Sequence, residues 1–119
     1  MSAIDNTPHW PTQDTLQAWR HDFHRHPETA FQEHRTSARV AQLLQSWGLQ
    51  VHTGLAGTGI VAVLHGSRGA GPSIGLRADM DALHVHELNT CAHKSVHEGR
   101  MHACGHDGHT TMLLGAAQT

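Results

Sequence analysis

The amino-acid sequence predicts an α/β fold in which two helices precede about three strands and the start of a further helix. Apolar residues recur at helical spacing before residue 48, and short apolar or β-branched runs with glycine-rich breaks follow them. A helix-like apolar segment then ends the sequence. Elements in this order pack as layers around one core, and 119 residues suffice for one domain at most.

Both helices are predicted from apolar stripes, because residues at i, i+3, i+4 and i+7 share one face of a helix. The stripes are Leu16, Trp19 and Phe23 in the first helix, and Val40, Leu43, Leu44 and Trp47 in the second. Pro27 disfavours helical backbone at His26, so the first helix should end there. The second helix lies within residues 31–48, and Gly48 provides the left-handed residue that ends it.

Strands are predicted where the period changes after Gly48. The three runs cover residues 49–54, 59–66 and 73–83, and a turn at residues 67–72 separates the second run from the third. Residues 84–100 show no clear period, so we expect a long loop there.

The third predicted strand carries two carboxylates near its end. Asp79 and Asp81 share one face of the strand with Arg77, since side chains alternate along a strand. Ligands of α/β sheets usually bind outside the carboxyl ends of the strands. The pair therefore indicates a site, or else it marks the exit of the strand to solvent or an ion pair with Arg77.

Composition raises a metal hypothesis, because fourteen of the 119 residues are histidines, which bind metals. A formal charge of −2 argues against a nucleic-acid partner and against an anionic membrane, and no window is long and apolar enough to span a bilayer. Residues 1–11 form a polar arm without the regions of a secretory signal. Two cysteines thirteen apart suggest no disulfide framework, so we expect a reduced, cytoplasmic protein.

The segment of residues 101–118 concentrates ligands just before the last helix. Cys104 and His106 can meet one metal only in extended or turn backbone, which Gly105 between them permits. Asp107 is placed to cap the following helix through its carboxylate. We therefore expect a loop that delivers metal ligands directly ahead of a helix.

Three other interpretations stay open for this segment. One is a metal site on a single helix face, formed by His102, His106 and His109. The glycines of the segment disfavour a continuous helix there, and the glutamate of that motif is missing. In the second, Cys104 is a nucleophile with a histidine base. The third is a histidine-rich polar loop with a structural cysteine.

Two stretches resemble a known family closely. "GLRADMDAL" (75–83) and "MHACGHDGHTTMLLGAA" (101–117) are similar to the amidohydrolase branch of the dinuclear metallo-aminoacylase and carboxypeptidase family. That branch includes hippurate hydrolases, N-acyl-amino-acid amidohydrolases and hydrolases of auxin–amino-acid conjugates. "FHRHPETAFQEHRTSARV" (23–40) looks like its opening helices. The resemblance implies a zinc-peptidase-like catalytic domain that hydrolyses the amide bond of N-acyl amino acids.

The resemblance also implies roles for individual residues. Cys104 and His106 match metal ligands, and Asp81 matches a catalytic, orienting acidic position. Four further residues of these stretches would support the site: Asp79, His102, Asp107 and His109. The implied cofactor is a divalent ion (Zn²⁺, Mn²⁺ or Co²⁺), two per site in the full-length family. These ions activate water and polarise the amide carbonyl, while a glutamate serves as general base.

The chain departs from the family pattern in two residues and in length. His84 stands where proline is usual, and Cys91 where an aromatic residue is common. Residues 12–119 correspond to the N-terminal portion of the catalytic domain. The general base, the remaining ligands and the lid or dimerisation domain of the full-length homodimer are not in this sequence. The alternatives are a catalytically inactive metal-binding fragment and a subunit completed by another chain.

Overall fold

The computed structural model describes residues 10–119, so residues 1–9 of the predicted arm (1–11) lie outside the described part. The fold is α/β, as the sequence predicts. The elements in chain order are α1 (Gln13–Arg25), α2 (His34–Ser46), β1 (Gln50–Leu55), β2 (Gly59–Val63) and α3 (His106–Gln118). The predicted loop at residues 84–100 contains neither helix nor strand. Within residues 10–119, no helix combines the length and the apolar character that crossing a bilayer requires.

Helix α1 ends where the sequence predicts. The Thr12 hydroxyl accepts a hydrogen bond from the Thr15 amide at 3.1 Å, which satisfies one of the free N–H groups of the first turn. His26 is the C-cap, directly before Pro27. The helix is therefore delimited by local chemistry at both ends.

The N-terminal cap of helix α2 comes from Glu28, which lies in the segment before the helix. The Glu28 carboxylate accepts hydrogen bonds from the amide (2.6 Å) and hydroxyl (2.7 Å) of Thr36 and from the amide of Arg35 (2.9 Å), whereas Glu33 at the N-cap position makes no such bond. Burial raises the pKa of Glu28, but these hydrogen bonds outweigh it and lower the pKa below its usual value. Glu28 therefore ties the segment after α1 to the start of α2.

Strands β1 and β2 form an antiparallel pair. The register places Gln50 opposite Val63 and His52 opposite Val61. Gly48 has φ 82°, the left-handed conformation predicted for the end of α2, and it turns the chain into β1. The first two predicted strands are thus confirmed.

The third predicted strand, residues 73–83, is wrong. This run makes only isolated bridges, which pair Ala82 with Thr29 and Leu83 with Met101. Its large apolar side chains Ile74 and Leu76 are 85% and 65% exposed, although Ala82 near its end is buried. The physical reason is that no other strand within residues 10–119 lies beside it to take its backbone hydrogen bonds. The sheet therefore has two strands, where about three were predicted.

The core lies between the three helices, and it sets the position of α3. Its buried members are Trp19, Phe23, Val40, Leu44 and Leu114. The predicted stripes of α1 and α2 thus face inward. A Cβ atom on Gly115 would lie 3.0 Å from a methyl carbon of Leu16, so the absent side chain lets α3 approach α1 closely. Contact with α1 places the beginning of α3 beside the end of α1.

Replacing Glu28 by glutamine is expected to lower the free energy of unfolding by about 1 kcal/mol near pH 7, as is typical for a lost helix cap. The folded-state pKa of Glu28 lies below its unfolded value. The stabilisation is therefore complete above the unfolded pKa of about 4.3, and it is lost as the pH falls through the lower folded pKa. Urea unfolding of both proteins near pH 7 and near pH 2 measures the difference.

The matched control for this prediction is Glu98→Gln, since Glu98 is exposed in the 84–100 loop. The capping role would be contradicted if Glu98→Gln lowered the free energy of unfolding equally. It would also be contradicted if Glu28→Gln and the unsubstituted chain still differed at low pH.

Candidate metal centre

The first turn of α3 presents the central side chain of the site. His106 is the first residue of the helix, and Gly105 before it is the N-cap with φ 92°. Asp107 was predicted to be the cap, and this is wrong. A left-handed glycine takes that position, so Asp107 falls inside the first turn, where its side chain is buried. The local chain therefore turns sharply at Gly105 and directs His106 and Asp107 to different surroundings.

The acidic segment of residues 79–81 lies against this turn. The Thr110 hydroxyl donates to the backbone oxygen of Asp79 at 3.0 Å. The Nδ1 atom of His106 lies 2.9 Å from the backbone oxygen of Asp81 and 3.0 Å from its Oδ1. Hydrogen bonds to α3 thus hold the two aspartates beside His106, although the segment is not part of a sheet.

Asp79, Asp81 and His106 form a group that can hold a metal ion. Each offers one ligand atom, and the three atoms lie within 4.8 Å of one another; it is the one such group found among residues 10–119. The Nε2 atom of His106 lies 3.8 Å from Oδ2 of Asp79. The other oxygen of Asp79 pairs with Arg77 at 2.6 Å, as one interpretation of the sequence anticipated. Imidazole and carboxylate together suit divalent ions such as Zn²⁺, Mn²⁺ and Co²⁺.

The contact with Asp81 fixes which nitrogen of His106 is available. Both acceptors near Nδ1 are oxygens, so Nδ1 carries the proton and Nε2 keeps its lone pair. Carboxylates commonly orient metal-bound histidines through the second ring nitrogen in this way. The geometry therefore suits Asp81 to orient the ring and His106 Nε2 to bind the metal.

The other ligand candidates lie at different places around His106. Cys104 is exposed, two residues before His106, and is outside the three-residue group. His109 follows on the same helix, with its ring centroid 5.6 Å from that of His106. Contrary to the sequence argument, α3 runs through Gly108 without a break. His102 precedes the helix, so the three histidines do not form a site on one helix face.

His102 is buried with unpaired polar atoms. Its residue is 4% exposed, and neither ring nitrogen has a hydrogen-bond partner within the described part of the chain. Burial lowers the pKa of His102, which favours the neutral ring with a free lone pair. A buried polar group without a partner calls for a water molecule or an ion nearby. This orphaned imidazole, together with the donor set around His106, fits a divalent ion in this region.

A buried network of acidic and basic side chains lies behind the site. His24 Nδ1 is 2.9 Å from Oδ2 of Asp107, and His24 Nε2 is 3.1 Å from Oε1 of Glu87. Glu87 also accepts from the Ser95 amide (2.8 Å) and the Asn89 side chain (3.0 Å). Burial raises the pKa of Glu87, but these hydrogen bonds and His24 lower it further than burial raises it. This network of side chains connects α1, the 84–100 loop and α3.

Sequence reasoning did not select His24 or Glu87. One signal for His24 was present, because it lies eight residues after Leu16 and therefore on the apolar stripe of α1. A histidine on a buried stripe needs polar partners, and the sequence does not show where they come from. Glu87 lies in a loop without periodicity, so no pattern distinguished it.

Known proteins match the chain in sequence. Residues 75–119 match the model of peptidase family M20/M25/M40. An N-acyl-L-amino acid amidohydrolase of Geobacillus stearothermophilus is 48% identical over 101 residues, which are 85% of this chain and 27% of that protein. A hippurate hydrolase of Campylobacter jejuni is 46% identical over 106 residues, which are 89% of this chain and 27% of that protein. The chain spans about a quarter of the length of these relatives.

A solved structure matches the chain as well. The YxeP protein of Bacillus subtilis, described as a dinuclear metal-binding peptidase from the M20 family, is similar with a TM-score of 0.81 and 39% identity. The match covers 87% of this chain and 29% of that one. The three helices and the two-stranded sheet thus correspond to the N-terminal portion of an M20 peptidase domain, as the sequence resemblance implied.

Replacing Asp81 by asparagine is expected to weaken Zn²⁺ binding by about 10- to 100-fold, the usual effect of losing a carboxylate that orients a metal-binding histidine. The neutral amide can still accept a hydrogen bond from His106, but it no longer raises the basicity of the ring. Calorimetric titration of the 119-residue chain with Zn²⁺ measures the change.

Asp14→Asn is the matched control, because Asp14 is exposed in the first turn of α1. Unchanged affinity in Asp81→Asn, or an equal loss in the control, would show that Asp81 does not orient a metal ligand.

Proposed function

Since the chain is related to the M20 peptidases over the segment that it shares with them, we propose that it forms part of the active site of a metal-dependent amidohydrolase. The observation that carries this proposal is the convergence of Asp79, Asp81 and His106 at the start of α3. The substrates are N-acyl amino acids, the class that the names of its relatives indicate. The products are a carboxylic acid and a free amino acid.

The proposed metal ligands are Cys104 and His106, with Asp79 available as a third. Three protein ligands and an open position are typical of hydrolytic metal sites. Thiolate and imidazole suit Zn²⁺ and Co²⁺, whereas the carboxylate also suits Mn²⁺. A reducing compartment such as the cytoplasm would keep Cys104 available as a thiol.

The other residues of the site would act on these ligands. Asp81 holds the Nδ1 proton of His106, and thereby directs Nε2 away from α3 and toward Asp79. We assign supporting roles to three residues around them: His102, Asp107 and His109. The pairing of Asp79 with Arg77 fixes the direction of that carboxylate.

A bound divalent ion would lower the pKa of water and polarise the amide carbonyl. Hydrolysis also requires a base that takes a proton from the attacking water and returns it to the leaving amine. We do not assign this task to Asp79 or Asp81, because Arg77 and His106 each hold one of their oxygens and the family resemblance gives Asp81 an orienting role. We therefore assign the general base to a glutamate outside these 119 residues, as the family resemblance implies.

Replacing Cys104 by serine is expected to remove the thiolate-to-metal charge-transfer band of the Co²⁺-loaded chain. The band reports a direct bond between sulfur and metal, which a serine hydroxyl does not provide. Near-ultraviolet absorption during a Co²⁺ titration measures it, with Cys91→Ser as the matched control at the other free cysteine. A band that persists in Cys104→Ser would exclude this residue as a ligand.

Hydrolysis is tested in a chimera in which residues 12–119 replace the matching segment of the Geobacillus amidohydrolase. We expect the metal-loaded chimera to hydrolyse N-acyl amino acids, and His106→Ala to reduce the rate at least about 100-fold through loss of a metal ligand. The 119-residue chain alone should show no sustained turnover, because general acid–base catalysis contributes about 10²–10⁴ in rate. Release of free amino acid measures all three.

His65→Ala in the same chimera is the matched control, since His65 is exposed beyond β2. A folded, metal-loaded chimera without activity would contradict the proposed function. Full activity of His106→Ala would contradict the role of the site, and turnover by the 119-residue chain would contradict the assignment of the base.

A further inference from the structure

His24 occupies an unusual place for a histidine, between two buried carboxylates. It belongs to the last turn of α1 and is 5% exposed, while Glu87 is 4% exposed and Asp107 is 1% exposed. Its Nδ1 atom is within hydrogen-bond distance of Asp107, and its Nε2 atom is within hydrogen-bond distance of Glu87. Each of its ring nitrogens therefore faces an oxygen of an acidic side chain.

His24 and Arg20 are the basic side chains beside the two buried carboxylates of Glu87 and Asp107. Ionised carboxylates only accept hydrogen bonds, so both contacts are satisfied when each ring nitrogen carries a proton. Arg20 supplies a second positive charge, with its Nε atom 3.4 Å from Oδ2 of Asp107. Loss of His24 would remove a partner of both buried carboxylates and leave the half-exposed Arg20 beside Asp107.

The same network of side chains bears on the direction of His106. Asp107 follows His106 directly, and neighbouring side chains of a helix point about 100° apart, since a turn has 3.6 residues. When Asp107 is held toward His24, the first turn of α3 can rotate only slightly about its axis. His106 must then point toward Asp81. Gly105 provides no side-chain cap, so the contacts of Asp107, His106 and Thr110 hold this turn in place.

We propose that His24 is a positioning residue for the metal centre: by holding Asp107 from the interior, it fixes the His106 ring on Asp81 and so presents Nε2 to the metal. The inference rests on the proposed function, in which His106 binds that metal. His24 bonds to Asp107 and Glu87 and to none of Asp79, Asp81 and His106, so it acts through Asp107 alone.

The test is His24→Gln in the 119-residue chain, read first without metal. In the unsubstituted chain, ¹⁵N spectra of the histidine rings should show His106 with its proton on Nδ1. In His24→Gln, we expect this signal to be replaced by the averaged signal of two exchanging tautomers. Titration with Co²⁺ should then show affinity at least about tenfold weaker and an altered visible spectrum, since support of a metal-binding histidine usually contributes about 10- to 100-fold.

Two further variants separate positioning from general stability. Glu28→Gln weakens the cap of α2, because glutamine keeps only one of the two acceptor oxygens. It should leave the His106 signal and the Co²⁺ affinity unchanged, although it destabilises the chain. Glu87→Gln keeps an acceptor for His24 and removes one charge, so it should shift both readouts in the same direction by a smaller amount. Glu87→Gln also decides the question if His24→Gln does not fold.

The outcomes distinguish the inference from the function on which it rests. An unchanged His106 signal in His24→Gln, or in Glu87→Gln if only that variant folds, would overturn the inference, whatever the metal affinity. An equal change in Glu28→Gln would also overturn it, because the effect would then be one of stability. If the unsubstituted chain bound no Co²⁺, the proposed metal site would fail, and the positioning role toward a metal would fail with it.

Discussion

Asp107 carries a negative charge into the interior at the first turn of α3, where its residue is 1% exposed. A carboxylate in such a place costs several kcal/mol unless charged groups and hydrogen bonds compensate it. Compensation comes from His24 and Arg20, both on α1, and His24 passes the interaction on to Glu87 in the 84–100 loop. Three segments distant in the sequence are therefore held together, because none of these groups can be buried alone.

The same turn of α3 also carries His106, whose side chain lies in a different environment from that of Asp107. His106 points away from the core toward Asp79 and Asp81, where a half-exposed cluster of acceptors is suited to a cation. The acidic segment has no strand beside it, and it is held by hydrogen bonds from Thr110 and His106 to its backbone oxygens. The interactions of Asp107 in the interior thus orient the first turn of α3. This turn then brings the candidate ligands together.

Much of the fold follows from local sequence chemistry. The apolar stripes of α1 and α2, the end of α1 before Pro27 and the left-handed Gly48 each depend on a few neighbouring residues, and all are found where predicted. The motif around His106 also predicted a metal site in this region, since glycine-flanked cysteine and histidine ahead of a helix form a specific pattern. Within that region, the carboxylates near His106 were expected, because they come at the end of an apolar run.

By itself, then, the sequence determined the α/β class, both opening helices, the long loop and the resemblance to a known family, because each depends on spacing along the chain. Only the tertiary structure decided that residues 73–83 stay outside the sheet, since a strand requires a neighbour that no local pattern supplies. It also decided that Asp107 turns inward to His24, 83 positions away in the sequence. Charge pairs of this kind form between residues that the fold brings together in the interior, so spacing along the chain does not predict them.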